Sequence, residues 1–231
     1  MLGERWKIAP LVSGETGNLN PVKTRLESVH ANPIQYMVDY YRKIDSYQVT
    51  IKSSQKDNSS QESRPSQGNT LCYYFKRPGH VRIEFIHPLG GAVIIYDPDS
   101  KTARLWPLGY PHFPAFTLNP ENRLIQNSSG QRIDRSDFGA LYQNVQTLQQ
   151  HGKATLADSL SINGKNTLHL TVEGLNNFSI AGVHRFQLWV DQATAFPIKV
   201  SSHDVMGKIL EVVEFEYLQI NPTFPPDFFK Q

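Results

Sequence analysis

Polar and apolar residues alternate along much of this chain, and the alternation predicts an antiparallel sheet. In 71–75 the residues at every second position are large and apolar, and the same spacing recurs in 81–85, 186–190 and 213–217. Lysine, arginine and glutamate occupy most of the positions between. One face of the sheet is therefore expected to be buried and the other to face solvent. About ten strands are predicted.

Two segments change to helical spacing. Asn32 followed by Pro33 is typical of a helix start, because an Asn caps well and proline at the first helical position loses no hydrogen bond. The second helix is predicted over 136–150, with Asp134 or Ser136 as its N-cap. The apolar positions on the two helices are Ile34, Met37, Val38, Tyr41 and Ile44, then Phe138, Leu141, Val145 and Leu148.

A sheet of about ten strands has to twist, curl or close. Two amphipathic helices and a proline-rich loop over 108–133 are available to cover it. We therefore predict a mainly β (α+β) fold, a strongly curved half-barrel whose concave face is covered by these three segments. A β-sandwich is the rival, although it would not need two amphipathic helices. Residues 1–30 are expected to be a poorly ordered lead-in to one domain over 31–231.

Composition narrows the class of protein. The 231 residues are 39% hydrophobic and 19% charged, with a net charge of +2 and no Lys/Arg block, which does not favour nucleic-acid binding. Cys72 is the only cysteine, so no internal disulfide or thiolate metal cluster forms. No apolar run reaches the ~20 residues of a membrane-spanning helix. The N-terminus has no signal-peptide core, which fits a cytosolic protein or one without its native signal.

The sequence offers no enzymatic motif. The eight histidines follow no metal-ligand spacing, and neither a nucleophile elbow nor a phosphate-binding loop is present. Asp97 and Asp99 flank a proline and are interpreted as turn residues. We therefore predict no catalytic residues, no metal and no cofactor. A hydrolase or metal enzyme remains the third and weakest hypothesis.

The inner face of the sheet is the candidate ligand-binding surface, because large aromatic side chains can either fill a half-barrel or line a cavity in it. Ordinary core packing is the competing interpretation for every one of these residues. The predicted lining is Tyr73, Phe75, Ile83, Phe85, Phe186, Leu188, Phe215 and Tyr217.

Arg77 is an exception among the charged residues, because it has the parity of Tyr73 and Phe75 and would point to the concave side. It could be a solvated arginine at the end of a strand, since Pro78 turns the chain there. Alternatively, it donates hydrogen bonds to carbonyl groups of a covering helix or loop and holds a lid closed.

The order of these elements resembles the LolA/LolB-like superfamily of periplasmic lipoprotein carriers and sorting proteins. Three stretches carry the resemblance, which extends over roughly 33–229: the strands around Lys76-Arg77-Pro78, the strand, Asp turn and strand ending at Trp106, and the closing strands after 186. It implies helices on the concave side, a cavity for acyl chains, and a bond from Arg77 to the lid. The long insertion at 108–133 and the extended N-terminus depart from the simplest carriers.

From the residues and the resemblance together we predict non-enzymatic binding of lipid or lipoprotein acyl chains by a monomeric envelope protein. The resemblance implies a periplasmic or cell-envelope location, and membrane-associated donor or acceptor proteins as further partners. A sensory or protein-interaction domain on the same scaffold, with a filled core and no lipid, is the alternative.

Overall fold

A computed structural model describes residues 32–54, 68–127 and 130–231 of the chain. The predicted lead-in over 1–30 lies outside the described residues. The helices are α1 (Pro33–Tyr41) and α2 (Phe138–Gln150). The strands are β1 (Ser46–Ser54), β2 (Asn69–Lys76), β3 (His80–His87), β4 (Val93–Asp97), β5 (Thr102–Trp106), β6 (Phe116–Leu118), β7 (Gly152–Ile162), β8 (Lys165–Gly174), β9 (Arg185–Asp191), β10 (Pro197–His203) and β11 (Ile209–Ile220).

The eleven strands form one antiparallel sheet in the order β6-β5-β4-β3-β2-β1-β11-β10-β9-β8-β7. Neighbours in this order are also neighbours along the chain, except where β1 pairs with β11 and joins the two halves. The sheet does not close, so β6 and β7 are its edges. Bulges in several strand pairs add local twist. The predicted mainly β half-barrel with two helices is confirmed.

The turns of this sheet lie at two opposite ends. The α1 end is the one where α1 leads into β1, and it holds the turns 77–79, 98–101, 163–164 and 192–196. The other end, which we call the rim end, holds the turns 88–92, 107–115, 175–184 and 204–208.

Both helices begin at side-chain caps. The carboxamide oxygen of Asn32 accepts the N–H of Gln35 at the start of α1, as the Asn-Pro pair predicts. At α2 the prediction of Asp134 or Ser136 as the cap is wrong, because Asp137 is in the cap position and accepts the N–H of Ala140. Ile133–Arg135 instead forms a 3₁₀ turn, which keeps Asp134 out of the helix.

The two helices pack on the concave face of the sheet. Ile34, Met37 and Val38 of α1 share one buried cluster with Val145 and Leu148 of α2 and with the inner positions of the strands. The 3.6-residue spacing therefore marks the sides of the helices that face the sheet.

The insertion at 108–133 covers both faces, so the prediction that it covers the concave face is only partly correct. Ile125 and Ile133 are buried in the core cluster, and Phe116–Leu118 adds the edge strand β6. Tyr110 and Ala115, however, pack on the outer face against a second cluster made of Val93, Ile95 and Trp106. The reason is that β4 is apolar on both faces, which strict alternation does not anticipate.

Residues 222–231, which we call the strap, cross the outer face of β2 and β3. The rings of Phe224 and Phe228 meet Tyr74 at centroid distances of 6.1 and 5.0 Å. The guanidinium group of Arg82 lies 4.6 Å from the centroid of Phe228 and donates a hydrogen bond of 2.9 Å to its carbonyl. The strap contains no strand, as its prolines predict.

Candidate functional site

The concave face is fully buried at the α1 end. Tyr47, Phe75, Val81 and Tyr96 pair across four neighbouring strands, and each side chain is less than a tenth exposed. The ring of Tyr47 stacks on Phe75 at 5.1 Å. This end of the half-barrel is therefore a packed aromatic core.

Towards the rim end the same face becomes half-buried. Phe215, Ile51, Leu71 and Phe85 pair with one another across β11, β1, β2 and β3, and we call these four side chains the apolar row. All four pack against the core cluster, yet all remain partly exposed. Ile83 lies next to the row and has the same intermediate burial. The burial of the apolar side chains on the concave face thus decreases from the α1 end towards the rim end.

Phe138, in the first turn of α2, fills the space between helix and sheet. Its ring centroid lies 5.1 Å from that of Tyr47, 4.9 Å from Phe196 and 5.0 Å from Phe215. Ring pairs at these distances are favourable beyond the area they bury. Phe138 therefore joins the packed core to the first side chain of the apolar row.

Tyrosine hydroxyl groups tie α2 to its surroundings. The hydroxyl of Tyr41 donates to Asp137, the cap of α2, over 2.6 Å. The hydroxyl of Tyr73 bonds to that of Ser136 at 2.9 Å, and the hydroxyl of Tyr47 accepts the N–H of Phe138. Burial, and then the charge of Asp137, raise the pKa of Tyr41 far above its ordinary value, so this hydroxyl keeps the proton that it donates. Three polar contacts thus surround the start of α2.

Arg77 contacts the end of α1. Its Nε donates to the carbonyl of Ile44 over 2.6 Å and its Nη2 to the carbonyl of Tyr41 over 2.9 Å. The guanidinium carbon also lies 5.1 Å from the centroid of the Tyr41 ring. A helix C-terminus leaves carbonyl groups without partners inside the helix. This cation bonds to one of them, that of Tyr41, and to the carbonyl of Ile44, three residues beyond the end of the helix. The arginine is half-buried here, whereas the competing interpretation placed it in solvent.

The other predicted lining residues fall into two groups. Tyr73, Phe75, Phe186 and Leu188 are buried in the core cluster. Ile83, Phe85 and Phe215 are the half-buried ones described above. All seven thus lie in or against the concave-side core, and their use by a ligand remains a prediction.

The expectation that Tyr217 faces the concave side is wrong. Its side chain is 79% exposed and its φ is +54°. The register of β1 and β11 shifts here, with Gln48 opposite Gln219 but Thr50 opposite Glu216. The extra residue of this bulge reverses the parity, so Leu218 replaces Tyr217 as the residue that packs against the core.

Three central residues of the site were not predicted as lining: Tyr47, Tyr142 and Phe196. The alternation in β1 marks Tyr47 as inward-facing, and the apolar spacing of α2 does not include Tyr142. Phe196 lies in the turn before β10, where no periodicity applies, yet it is 1% exposed and contacts Phe138. Only Tyr47 carried a sequence signal.

Some polar groups gather on the outer face at the α1 end. Donor atoms of His80, Asp97 and Asp99 lie within 4.8 Å of one another. Burial would raise the pKa of Asp97, but hydrogen bonds from Asp99 and Ser100 hold it below its ordinary value. These bonds belong to the predicted Asp-Pro turn, and they already occupy the carboxylate.

A cavity of about 320 Å³ lies beside these residues, under the strap. Lys76 and Lys230 line it together with Asp97 and Asp227, so charges of both signs face it. It is on the outer face, separate from the apolar row. In the described part of the chain no helix is long and apolar enough to cross a membrane.

No protein-family model matches the chain, and no curated protein matches it. Among solved structures it is similar to the Mycobacterium tuberculosis lipoprotein LppX, with a TM-score of 0.48 and 10% identity over 86% of this chain and 98% of that one. A LolA superfamily protein from Nitrosomonas europaea gives 0.38 and 14% over 86% and 97%. A chain of the Pseudomonas aeruginosa MucA/MucB complex gives 0.44 and 14% over 84% and 60%. These matches include the superfamily that the strand and turn motifs resemble, and at such identities the function has to be argued from this chain's own residues.

Proposed function

We propose that this protein binds the acyl chain of a lipid or lipoprotein between the concave face of its sheet and α2, without catalysing a reaction. The observation that carries the proposal is the graded burial of the concave face. A core that only had to be stable would bury Phe215, Ile51, Leu71 and Phe85 as completely as the next rows. Here four aligned apolar side chains stay half-buried beside the core.

The acyl chain would enter over the apolar row and displace the ring of Phe138. A buried methylene contributes about 0.8 kcal/mol, so a dozen methylenes supply roughly 10 kcal/mol before the costs of association. This gain is large enough to offset the ring contacts that Phe138 gives up. Arg77 would keep α1 in place while the start of α2 moves, and this movement breaks the hydrogen bond from Tyr41 to Asp137. A carrier or sorting protein of the periplasm or cell envelope, acting as a monomer between donor and acceptor proteins, fits such a site.

The test compares two residues on the same strand. Phe215→Asp places a charge in the apolar row, whereas Tyr217→Asp places the same charge two residues away on an exposed side chain. We expect delipidated protein to bind a fluorescent fatty acid with micromolar affinity, Phe215→Asp to weaken binding at least about tenfold, and Tyr217→Asp to leave it unchanged. Fluorescence titration measures the affinities, and circular dichroism shows whether each variant is folded.

Phe85→Asp, at the other end of the row, repeats the test should Phe215→Asp fail to fold. Equal affinity in folded row variants and wild type would refute the proposed site. A wild-type protein that takes up no fatty acid would instead support the second candidate function, a protein-interaction domain with a filled core. The contacts of Phe138 with Tyr47, Phe196 and Phe215 are the observation in favour of that alternative.

A further inference from the structure

Three side chains with metal-ligating atoms meet on the outer face, at the α1 end of the sheet. His80 begins β3 and Asp97 ends β4. The residues next to them, Val81 and Tyr96, pair across the two strands, so His80 and Asp97 lie opposite each other. Asp99 follows in the next turn, and donor atoms of all three lie within 4.8 Å of one another. Strand pairing creates this cluster, so the spacing of histidines along the sequence could not indicate it.

The Nδ1 atom of His80 lacks a partner. It is buried, and no hydrogen bond reaches it from the described part of the chain. Its distance to Oδ1 of Asp97 is 3.7 Å, which is beyond the range of a hydrogen bond. Two ligand atoms that each lie about 2.1 Å from one tetrahedral metal ion are separated by about 3.4 Å. Buried polar atoms rarely lack a partner, so a nitrogen that faces a carboxylate at this distance points to an ion between them.

The carboxylate of Asp97 is only partly occupied by its hydrogen bonds. Oδ1 accepts the N–H of Asp99 and Oδ2 accepts the N–H of Ser100. A carboxylate has about four acceptor positions, so each oxygen keeps one for a further ligand. The two N–H groups fix the orientation of this carboxylate, as outer-shell partners do for the ligands of a metal ion.

The charges around the cluster favour a cation. In the cluster and the wall of the adjoining cavity, the carboxylates of Asp97, Asp99 and Asp227 outnumber the ammonium groups of Lys76 and Lys230. Lys230 also lies 3.6 Å from Asp227 and is paired with it. The cavity of about 320 Å³ under the strap borders the site and has room for water molecules that complete the coordination.

We propose that His80, Asp97 and Asp99 bind one divalent transition-metal ion of the zinc class beneath the strap. One imidazole nitrogen with two carboxylates suits Zn²⁺, whereas Mg²⁺ and Ca²⁺ prefer ligand sets made of oxygen alone. The ion joins the ends of β3 and β4. It also fixes the ring of His80, which lies 5.9 Å from the ring of Phe229 in the strap. The site is on the face opposite the apolar row and does not depend on the proposed function.

The experiment is calorimetric titration of the full chain with ZnCl₂, after a chelator has removed any metal. We expect one Zn²⁺ per chain with micromolar or tighter affinity. His80→Ala should weaken binding at least about 100-fold, because losing an outer-shell partner alone costs about 10–100-fold. The matched control is His87→Ala, which removes an exposed histidine from the other end of β3 and should bind as the wild type does. Asp99→Asn repeats the test at an exposed turn residue should His80→Ala fail to fold.

Thermal denaturation gives a second measurement. Zn²⁺ at about 100-fold its Kd should raise the Tm of the wild type by about 5 °C or more and leave that of His80→Ala unchanged. Phe215→Asp should bind Zn²⁺ as the wild type does, and His80→Ala should keep its affinity for the fluorescent fatty acid, so the two sites fail independently. A chain that binds no stoichiometric Zn²⁺ would overturn the metal site, as would equal Zn²⁺ affinity in wild type, folded His80→Ala and Asp99→Asn.

Discussion

Replacing Phe138 by alanine should lower the free energy of unfolding by about 3–5 kcal/mol, the largest loss expected from any single substitution at this site. The side chain is 4% exposed and contacts three aromatic rings on three different segments, β1, β11 and the turn before β10. None of these segments can move to fill the space that the ring leaves, because each is fixed in the sheet or at its end. The cavity left by the missing ring therefore stays open, and the cost falls in the range found for truncating a buried aromatic side chain.

Urea denaturation of wild type and Phe138→Ala measures the difference. Phe113→Ala is the control, since it removes the same ring from an exposed position and should change stability by less than about 0.5 kcal/mol. If Phe138→Ala lowers the free energy of unfolding by less than about 1 kcal/mol, α2 has moved onto the sheet and filled the space of the missing ring. If the proposed function is correct, a saturating fatty acid should also stabilise Phe138→Ala more than it stabilises the wild type, because the acyl chain fills the space that the ring leaves.

Alternation predicted the strands and the concave face because it depends only on the two-residue period of a strand. It failed where that period is broken. Tyr217 follows Phe215 and Val213 at perfect spacing, but a bulge with a positive φ turns it outwards. Tyrosine is not a residue that marks such a conformation, as asparagine or glycine would, so the sequence held no signal for the bulge.

Contacts between distant segments were equally beyond local patterns. Phe196 stands in a turn, and only the pairing of β9 with β10 brings it under α2. The strap is another case. Its prolines predict the absence of a strand, yet nothing local indicates that Phe228 will pack on Tyr74 and on Arg82. The arginine precedes Phe228 by 146 residues. For Arg77, by contrast, strand parity alone limited the choices to solvent or the covering elements.

Arg77→Leu should destabilise the protein by about 2–4 kcal/mol and loosen the end of α1 in particular. The two hydrogen bonds come from a cation to the carbonyl groups of Tyr41 and Ile44, and bonds of this kind contribute about 1.5–3 kcal/mol each when one partner is charged. The expected loss is smaller than their sum, because the carbonyl of Tyr41 also accepts the N–H of Ile44 and keeps that bond. Leucine fills part of the space but leaves both carbonyls without these donors.

Hydrogen exchange of the amides over 38–44, together with urea denaturation, separates a local from a global effect. Lys76→Leu changes the preceding residue, whose side chain is exposed at the end of β2, and should alter neither measurement. Arg77→Lys keeps the charge but not the planar fork, so it should restore one of the two bonds and give an intermediate stability.

Tyr41 also holds Asp137, the cap of α2, so a loosened α1 should release α2 as well and speed fatty-acid uptake. Fast exchange at 38–44 with an unchanged uptake rate would show that Arg77 supports the helix without controlling access to the concave face.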